Sequence, residues 1–446
     1  MKPMALFGGW PLFADGRRWR RHGRATRRFY NSGNRPSTLC RFTDSEDGRG
    51  LPLPMTSRAP VPATDYDLYA DENLRDPYPG YRMLRDSGPV AYLRRHNLYT
   101  LSRHADVSAA LSDWQTFTSA DGVTMNDAIN KGGRGATIST DPPGHQAMRQ
   151  VLGKPFNSAA IAALRERVTA EAEALVDRLV GCGRFDAATE LAQHLPFVIV
   201  SELVGLPEAQ RHTMVELSAA AFDASGPPNE RAIRALEKLE ALGGFSFVET
   251  PRSAFAPDSW AAYLYEACDR GEITPDQVRP MLMDYVLPSL DTTIAATANI
   301  IWLFANHPDQ WEILKGDPGL ISNAINEAVR LESPIQGFSR CATRDHEVEG
   351  AVIPIGARVL LLLGSANRDE RKWSDPERFD IRRRPLDHVG FGYGVHRCVG
   401  ANLARLEVTA LLSALLRRVT RLSVEGSERQ LNNLLRGWKS LSVSVA

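Results

Sequence analysis

Net charge is the first thing this sequence lacks: over 446 residues, 53 Lys+Arg balance 53 Asp+Glu. That balance argues against a protein that holds nucleic acid through a global basic field. Cysteine is scarce as well. The five present (Cys40, Cys182, Cys268, Cys341, Cys398) are odd in number, scattered, and form no CxxC pair. This excludes a disulfide scaffold and fits a reducing compartment, so a cytoplasmic protein is expected. Every long apolar stretch carries charges or prolines, so no membrane span is expected. No internal repeat, flavin motif or iron–sulfur motif is found, and no low-complexity segment follows residue 60. What remains is a globular chain long enough for one large domain or up to three small ones of ~150 residues. Either way the core is large enough to need no disulfide or metal staple.

The charge is unevenly placed. Residues 1–60 hold 12 Lys+Arg against 4 Asp+Glu, and seven of those arginines lie between Arg17 and Arg28. Such an Arg-rich, acid-poor start has the composition of a transit peptide, and Arg27-Arg28-Phe29 that of a twin-arginine signal lacking its apolar segment. Residues 4–14 are apolar but far short of the ~20 that a spanning helix needs. We read residues 1–55 as a basic, disordered extension and 56–446 as the folded domain, entered through Pro60 and Pro62.

Along that domain, residues 90–102 read as a β-hairpin around His96-Asn97. Residues 157–250 are patterned as helix, with apolar positions three and four apart over 162–180. A long apolar helix is expected over 281–305, interrupted by Pro288, and another over 320–331, ended by Ser333-Pro334. Residues 339–363 hold short β-runs broken by Gly350 and Gly356, and 367–384 are charged and irregular. A final amphipathic helix is expected over about 399–418. The fold class is therefore mainly α with small β-sheets, in a single large domain.

The chemistry concentrates in Phe391-Gly-Tyr-Gly-Val-His-Arg-Cys398-Val-Gly-Ala-Asn-Leu-Ala-Arg405. Gly392, Gly394 and Gly400 let the backbone turn tightly and approach a flat ligand. Cys398 directly precedes a helix, whose unpaired N–H groups and dipole favour a thiolate. Such a thiolate can ligate haem iron. Two other readings stay open at this point: a buried structural cysteine, and a zinc site of His388, His396 and Cys398 that lacks a fourth ligand at finger-like spacing.

Phe391-x-x-Gly394-x-x-x-Cys398-x-Gly400-x-x-Leu403-Ala404 resembles the haem-binding loop of the cytochrome P450 monooxygenases, of soluble bacterial type, and the resemblance extends over about residues 61–446. It implies the P450 fold, haem b (iron protoporphyrin IX) as cofactor, and Cys398 as axial ligand of the haem iron with Phe391 beside the sulfur. Glu327 and Arg330, three apart on one helix face, correspond to the family's E-x-x-R pair, with Arg378 of Pro376-Glu377-Arg378-Phe379 as the third member of a buried network. Asp141-Pro-Pro-Gly-His145-Gln-Ala-Met-Arg149 places His145 and Arg149 on one face, suited to the haem propionates, and Arg340 and His396 resemble further propionate partners. Asp291-Thr292 matches the family's acid–alcohol pair, which relays protons into the oxygen site. Pro288 and Ser289 depart from the two small residues that usually precede it. Pro288 has no N–H and crowds the carbonyl of Asp284, so a kink is expected.

Helical spacing brings Asp284 near the haem-facing side. Either it borders the substrate pocket and hydrogen-bonds a polar substrate group, or it pairs with an arginine outside the pocket. Leu287, Pro288, Ile335 and Phe338 are further pocket candidates, and residues 121–126 a flexible lid. The resemblance implies a monooxygenase that inserts one atom of O2 into a small organic substrate, by hydroxylation or oxidative dealkylation, with aromatic compounds among the expected substrates. Electrons would come from a ferredoxin-type donor with an NAD(P)H-dependent reductase, docked by the excess of basic residues over 371–405. No nucleic acid partner is expected. Rival readings are a peroxide-driven haem-thiolate enzyme, a non-catalytic haem protein, and a thiol hydrolase using Cys398 and His396.

Overall fold

The computed structural model describes residues 60–446; the basic extension expected over 1–55 lies outside them. The fold is organised by one helix, Pro275–Asn306, which is 32 residues long. Thr274 and Gln277 close its start with a reciprocal capping box, and Pro275 takes the first position, where its missing N–H costs nothing. Leu282, Val286, Leu290, Ile301 and Phe304 bury one side of it in the main core. Around it pack the helices Met214–Ala224, Trp260–Asp269, Ile321–Leu331 and Ala401–Leu416.

The expected interruption at Pro288 does not occur. The helix runs continuously through Pro280 and Pro288, and both prolines line a large internal cavity. Each proline deprives the carbonyl four residues back of its helical donor, and both sit where the helix borders the cavity and not where it is packed on all sides. By length and composition this helix is also apolar enough to cross a membrane, contrary to the sequence reading, but 61% of the qualifying window is buried inside the fold. A core helix meets the same apolar requirement.

The strands are β1 (Ala63–Thr64), β2 (Val90–Leu93), β3 (Leu98–Leu101), β4 (Phe117–Thr118), β5 (Arg184–Asp186), β6 (Phe338–Ala342), β7 (His346–Val348), β8 (Ala351–Ile353), β9 (Arg358–Leu361), β10 (Leu422–Gln430) and β11 (Gly437–Val445). Six of them form one sheet in the order β1-β2-β3-β9-β6-β4. Its β2–β3 hairpin turns at the expected place, with Leu93 opposite Leu98 and Asn97 at φ 53°. A second sheet, β10-β11-β5, was not anticipated. Its hairpin carries Leu434 to the cavity wall and bridges Leu435 to Ile335.

A buried charge knot ties this hairpin to the rest. Glu332 accepts from Arg368 at 2.8 Å, Arg436 at 2.8 Å, Arg429 at 2.9 Å and the Tyr78 hydroxyl at 3.0 Å. Burial would raise its pKa, but the three guanidinium charges outweigh burial and hold it at about 2. Residues from four distant stretches of sequence thus share one carboxylate.

Candidate active site

The cavity has a volume of about 870 Å³ and is walled by the long helix, the Cys398 loop, the helix Gly144–Gly153, β6 and residues 129–138. The wall bearing Cys398 is rigidly built. Gly392 and Gly394 lie in the left-handed region at φ 69° and 66°. A Cβ on Gly394 would sit 2.6 Å from the carbonyl oxygen of Leu111, so only glycine fits there. Gly400, by contrast, has an ordinary φ of −79°, so the turn does not require it. The N–H of Cys398 donates to the Phe391 carbonyl at 2.8 Å. The Phe391 ring lies under the Arg405 guanidinium at 4.3 Å and faces the cavity.

The Cys398 thiol is exposed to the cavity. Burial of its surroundings raises its pKa, and the N–H groups of Gly400 and Ala401 with the charges of Arg149 and Arg405 offset this only in part. The helix start therefore favours the thiolate, as expected, without sufficing to form it. A cation bound to the sulfur would supply the remainder. His388 does not join Cys398: it is buried against Asn326, and its Nδ1 accepts from the N–H of Gly390 at 3.2 Å. Among the described residues no cluster of three or more His, Cys, Asp or Glu could hold a metal ion.

The four residues expected at propionates gather on one side of the cavity. His145 and His396 meet edge to face at 4.4 Å. Both ring nitrogens of His145 and the Nε2 of His396 are buried without a hydrogen-bond partner. Burial, helped by His396 and Arg149, pushes His145 down to about 4. Arg340 donates only to the neighbouring carbonyl of Ser339, and burial lowers it to about 10. Arg149 donates to the carbonyl of Arg397. The one carboxylate nearby is Asp141, 3.9 Å from His396. Burial works against its ionisation, but the nearby His396 ring and donors from Thr118 and the Ser119 N–H hold it below its usual range. Two guanidinium cations beside two imidazoles with orphaned nitrogens fit a ligand that brings two carboxylates, as haem does.

The network behind the cysteine loop needs a correction. Glu327 and Arg330 pair at 2.7 and 2.9 Å and are fully buried. The third arginine, however, is Arg383, whose Nε donates to Glu327 at 3.0 Å. Arg378 is exposed and offers Arg330 only its main-chain carbonyl, at 3.3 Å. The irregular segment turns so that Arg378 follows a left-handed Asp375 outward, while Arg383 folds back over it. Arg330 also donates to the carbonyl of Asn367 at 2.7 Å, and the Asn367 side chain accepts from the N–H of Val389 at 2.8 Å. The network thereby reaches the base of the cysteine loop.

On the opposite wall, Thr292 lines the cavity and donates to the Pro288 carbonyl at 2.7 Å. Asp291 is not beside it on that wall. It is 5% exposed, points away from the cavity, and leaves its Oδ2 without a partner. Burial pushes it up to about 7, against small opposing effects of Ser218 and Lys238. Asp284, Leu287, Pro288, Ile335 and Phe338 all line the cavity, as expected. Asp284 is half-buried and accepts from the N–H of Thr137 at 2.8 Å, a main-chain partner that neither sequence reading named. Residues 121–126 are not a free lid. Thr124 and Asn126 are buried, and Thr124 is tied to Asn130 at 2.9 and 3.0 Å. That loop meets the cavity at Val123 and Thr124 and again within 129–138.

Sequence reasoning missed Arg383, Asp141, Thr137 and also Glu407. Glu407 lies on the cysteine helix and lines the cavity, with its Oε1 unpartnered and its pKa raised by burial to about 8. The only signal for Glu407 was its place two turns along that helix, on the side of Leu403 and Ala404.

Comparison with known proteins agrees with this geometry. The model of the cytochrome P450 family matches residues 319–440. Cytochrome P450 CYP199A2 of Rhodopseudomonas palustris is 39% identical over 415 residues, covering 92% of this chain and 98% of its own length. The monooxygenase PikC of Streptomyces venezuelae is 30% identical over 408 residues, covering 86% of this chain and 95% of its own. Among solved structures, the P450 haem domain of Tepidiphilus thermophilus is similar with a TM-score of 0.75 at 26% identity, over 85% of this chain and 96% of its own.

Proposed function

The chain belongs to the cytochrome P450 family, and from that premise we propose which of its residues carry the reaction. It is a haem-thiolate monooxygenase with haem b as cofactor, inserting one atom of O2 into a small organic substrate with electrons from a redox partner. When bound, haem supplies the redox centre that activates dioxygen, and thiolate donation favours O–O cleavage.

Cys398, at the start of its helix, would hold the haem iron through its sulfur. His145, Arg149, Arg340 and His396 bind and orient the propionates. Glu327, Arg330 and Arg383 fix the loop through Asn367. Thr292 holds a proton at its Oγ1 on the cavity wall. Asp291 resupplies it from behind by rotating its carboxyl, whose pKa near neutrality suits both uptake and release. Asp284, Leu287, Pro288, Ile335 and Phe338 form the substrate wall. A small substrate, aromatic compounds included, suits a cavity that must hold the haem as well. Cys182, Cys268 and Cys398 as free thiols support a cytoplasmic setting.

One observation carries this reading: the Cys398 thiol opens on the same cavity as two arginines and two histidines, whose guanidinium charges and unpartnered ring nitrogens suit an anionic ligand. The test is the absorption spectrum of the reduced holoprotein under carbon monoxide. We expect the red-shifted band of thiolate-bound haem, and its loss in Cys398→Ser with the fold kept. A wild-type protein without that band would refute the assignment.

For the electron donor, Arg378, Arg382, Arg384 and Arg397 are exposed on the cysteine side, around an exposed Leu386. This combination suits an acidic ferredoxin: charges steer it and an apolar contact seats it. Haem reduction by such a ferredoxin should slow several-fold between low and physiological salt; a rate indifferent to salt would argue against docking here.

A further inference from the structure

Once haem propionates engage His145, Arg149, Arg340 and His396, the charges left on the cavity wall are few. Lys131 and Arg134 are exposed at the rim, and Arg279 is paired with Glu249. Asp276 is exposed at the start of the long helix, and Glu407 sits on the cysteine helix, beneath the substrate side. Within the substrate wall itself the remaining charged group is Asp284, set among Ile138, Pro280, Met283, Leu287 and Phe338.

Asp284 is only partly satisfied. One oxygen, Oδ2, takes the Thr137 N–H at 2.8 Å, which leaves acceptor capacity on a carboxylate that offers about four lone-pair sites. Four residues on, Pro288 has no N–H, so the main-chain carbonyl of Asp284 lacks its i+4 donor, and Pro288 is exposed on the cavity side. The acceptor that lines the cavity with capacity to spare is therefore the Asp284 carboxylate. Burial pushes the carboxyl up to about 6, with Thr137 and the Arg149 charge opposing, and a cation bound beside it favours its ionised form.

We propose that Asp284 is a specificity-determining residue that selects substrates carrying a protonated amine on a small apolar body, and rejects carboxylates. This rests on the substrate wall assigned above. An ionised acceptor in an apolar pocket gains from a cationic donor, leaves the neutral analogue unpaired, and repels an anion. The ammonium would donate to the Asp284 carboxylate, leaving the rest of the molecule to lie along Leu287 and Phe338.

The test uses the full holoprotein at pH 7.5 and three matched ligands: a 4-alkylbenzyl dimethylamine, its isopropyl isostere without nitrogen, and the corresponding 4-alkylphenylacetate. The readout is the low- to high-spin absorption shift. The amine should bind roughly ten-fold or more tighter than the neutral isostere, in line with a charged hydrogen bond, and the carboxylate weakest. Asp284→Asn should abolish the amine's advantage while keeping the carbon monoxide band. Equal binding of amine and carboxylate in the wild type would overturn the proposal. So would an advantage that survives the substitution, or an amine shift of the opposite sense, which reports nitrogen on the iron. The wild-type ranking decides even if the variant does not fold. Loss of the carbon monoxide band in the wild type would instead strike at the haem-thiolate assignment.

Discussion

The two walls of the cavity are built on different terms. On the cysteine side the main chain is locked: left-handed glycines, a carbonyl-bonded Cys398 N–H, and a buried ion network behind them. On the side of the long helix the structure carries open accounts: two prolines in mid-helix, Asp291 with an orphaned oxygen, and Asp284 held by a single main-chain donor. The difference follows from what each wall must do. A ligand for iron must stay put, so it is over-determined by partners that do not change with substrate. A substrate wall has to match one molecule, and it keeps acceptors and space in reserve for it. The cysteine wall matches the family's patterns throughout, whereas the long helix keeps the Asp291-Thr292 pair but departs from the pattern at Pro288 and Ser289.

If the cysteine wall is rigid because of its ion network, breaking that network should be costly and graded. Glu327→Ala leaves Arg330 buried and uncompensated and should destabilise by about 3–5 kcal/mol, with loss of haem retention on denaturant titration. Arg383→Ala removes one partner of a carboxylate that keeps the other, so about 1–3 kcal/mol is expected. Arg378→Ala changes only an exposed side chain and should stay within about 0.5 kcal/mol. The order of the last two separates the geometry described above from the motif reading. Equal costs for Arg378 and Arg383 would mean that the exposed arginine does enter the network.

That correction also marks where the sequence stopped being legible. Cys398, Glu327 and Arg330 were readable because local spacing alone fixes their relation: a loop into a helix, and two residues on one helical face. The gathering of His145, Arg149, Arg340 and His396 was readable from motif positions, though not its orphaned nitrogens, which depend on burial. Arg378 was misread because the 367–384 segment has no periodicity, so the side chain that folds inward depends on turns such as the left-handed Asp375. Asp291 was placed beside the cavity because adjacency to Thr292 was read as a shared face, whereas consecutive helical residues diverge by about 100°. The β10–β11 hairpin was missed although Leu441, Val443 and Val445 alternate, since the reading ended with the cysteine helix. Glu332 escaped for a similar reason: its three arginines come from Arg368, Arg429 and Arg436, distant in sequence.

The smallest effect tests the other wall. Asp291 has a folded-state pKa raised to about 7 from 3.8, with burial as the main cause. Between those values the unfolded chain has released the proton and the folded chain still holds it. The unfolded state then binds fewer protons, and stability falls as pH rises towards 7 and levels off above it. Asparagine cannot ionise, so Asp291→Asn removes this slope whatever its fixed cost from rehousing an amide. The melting temperature of the variant relative to wild type should therefore climb between pH 5 and pH 8, by about 2 °C. Calorimetry of both holoproteins at the two pH values measures it. A difference that does not change with pH would show that Asp291 is ionised throughout, and that the reserve proton attributed to this wall lies elsewhere.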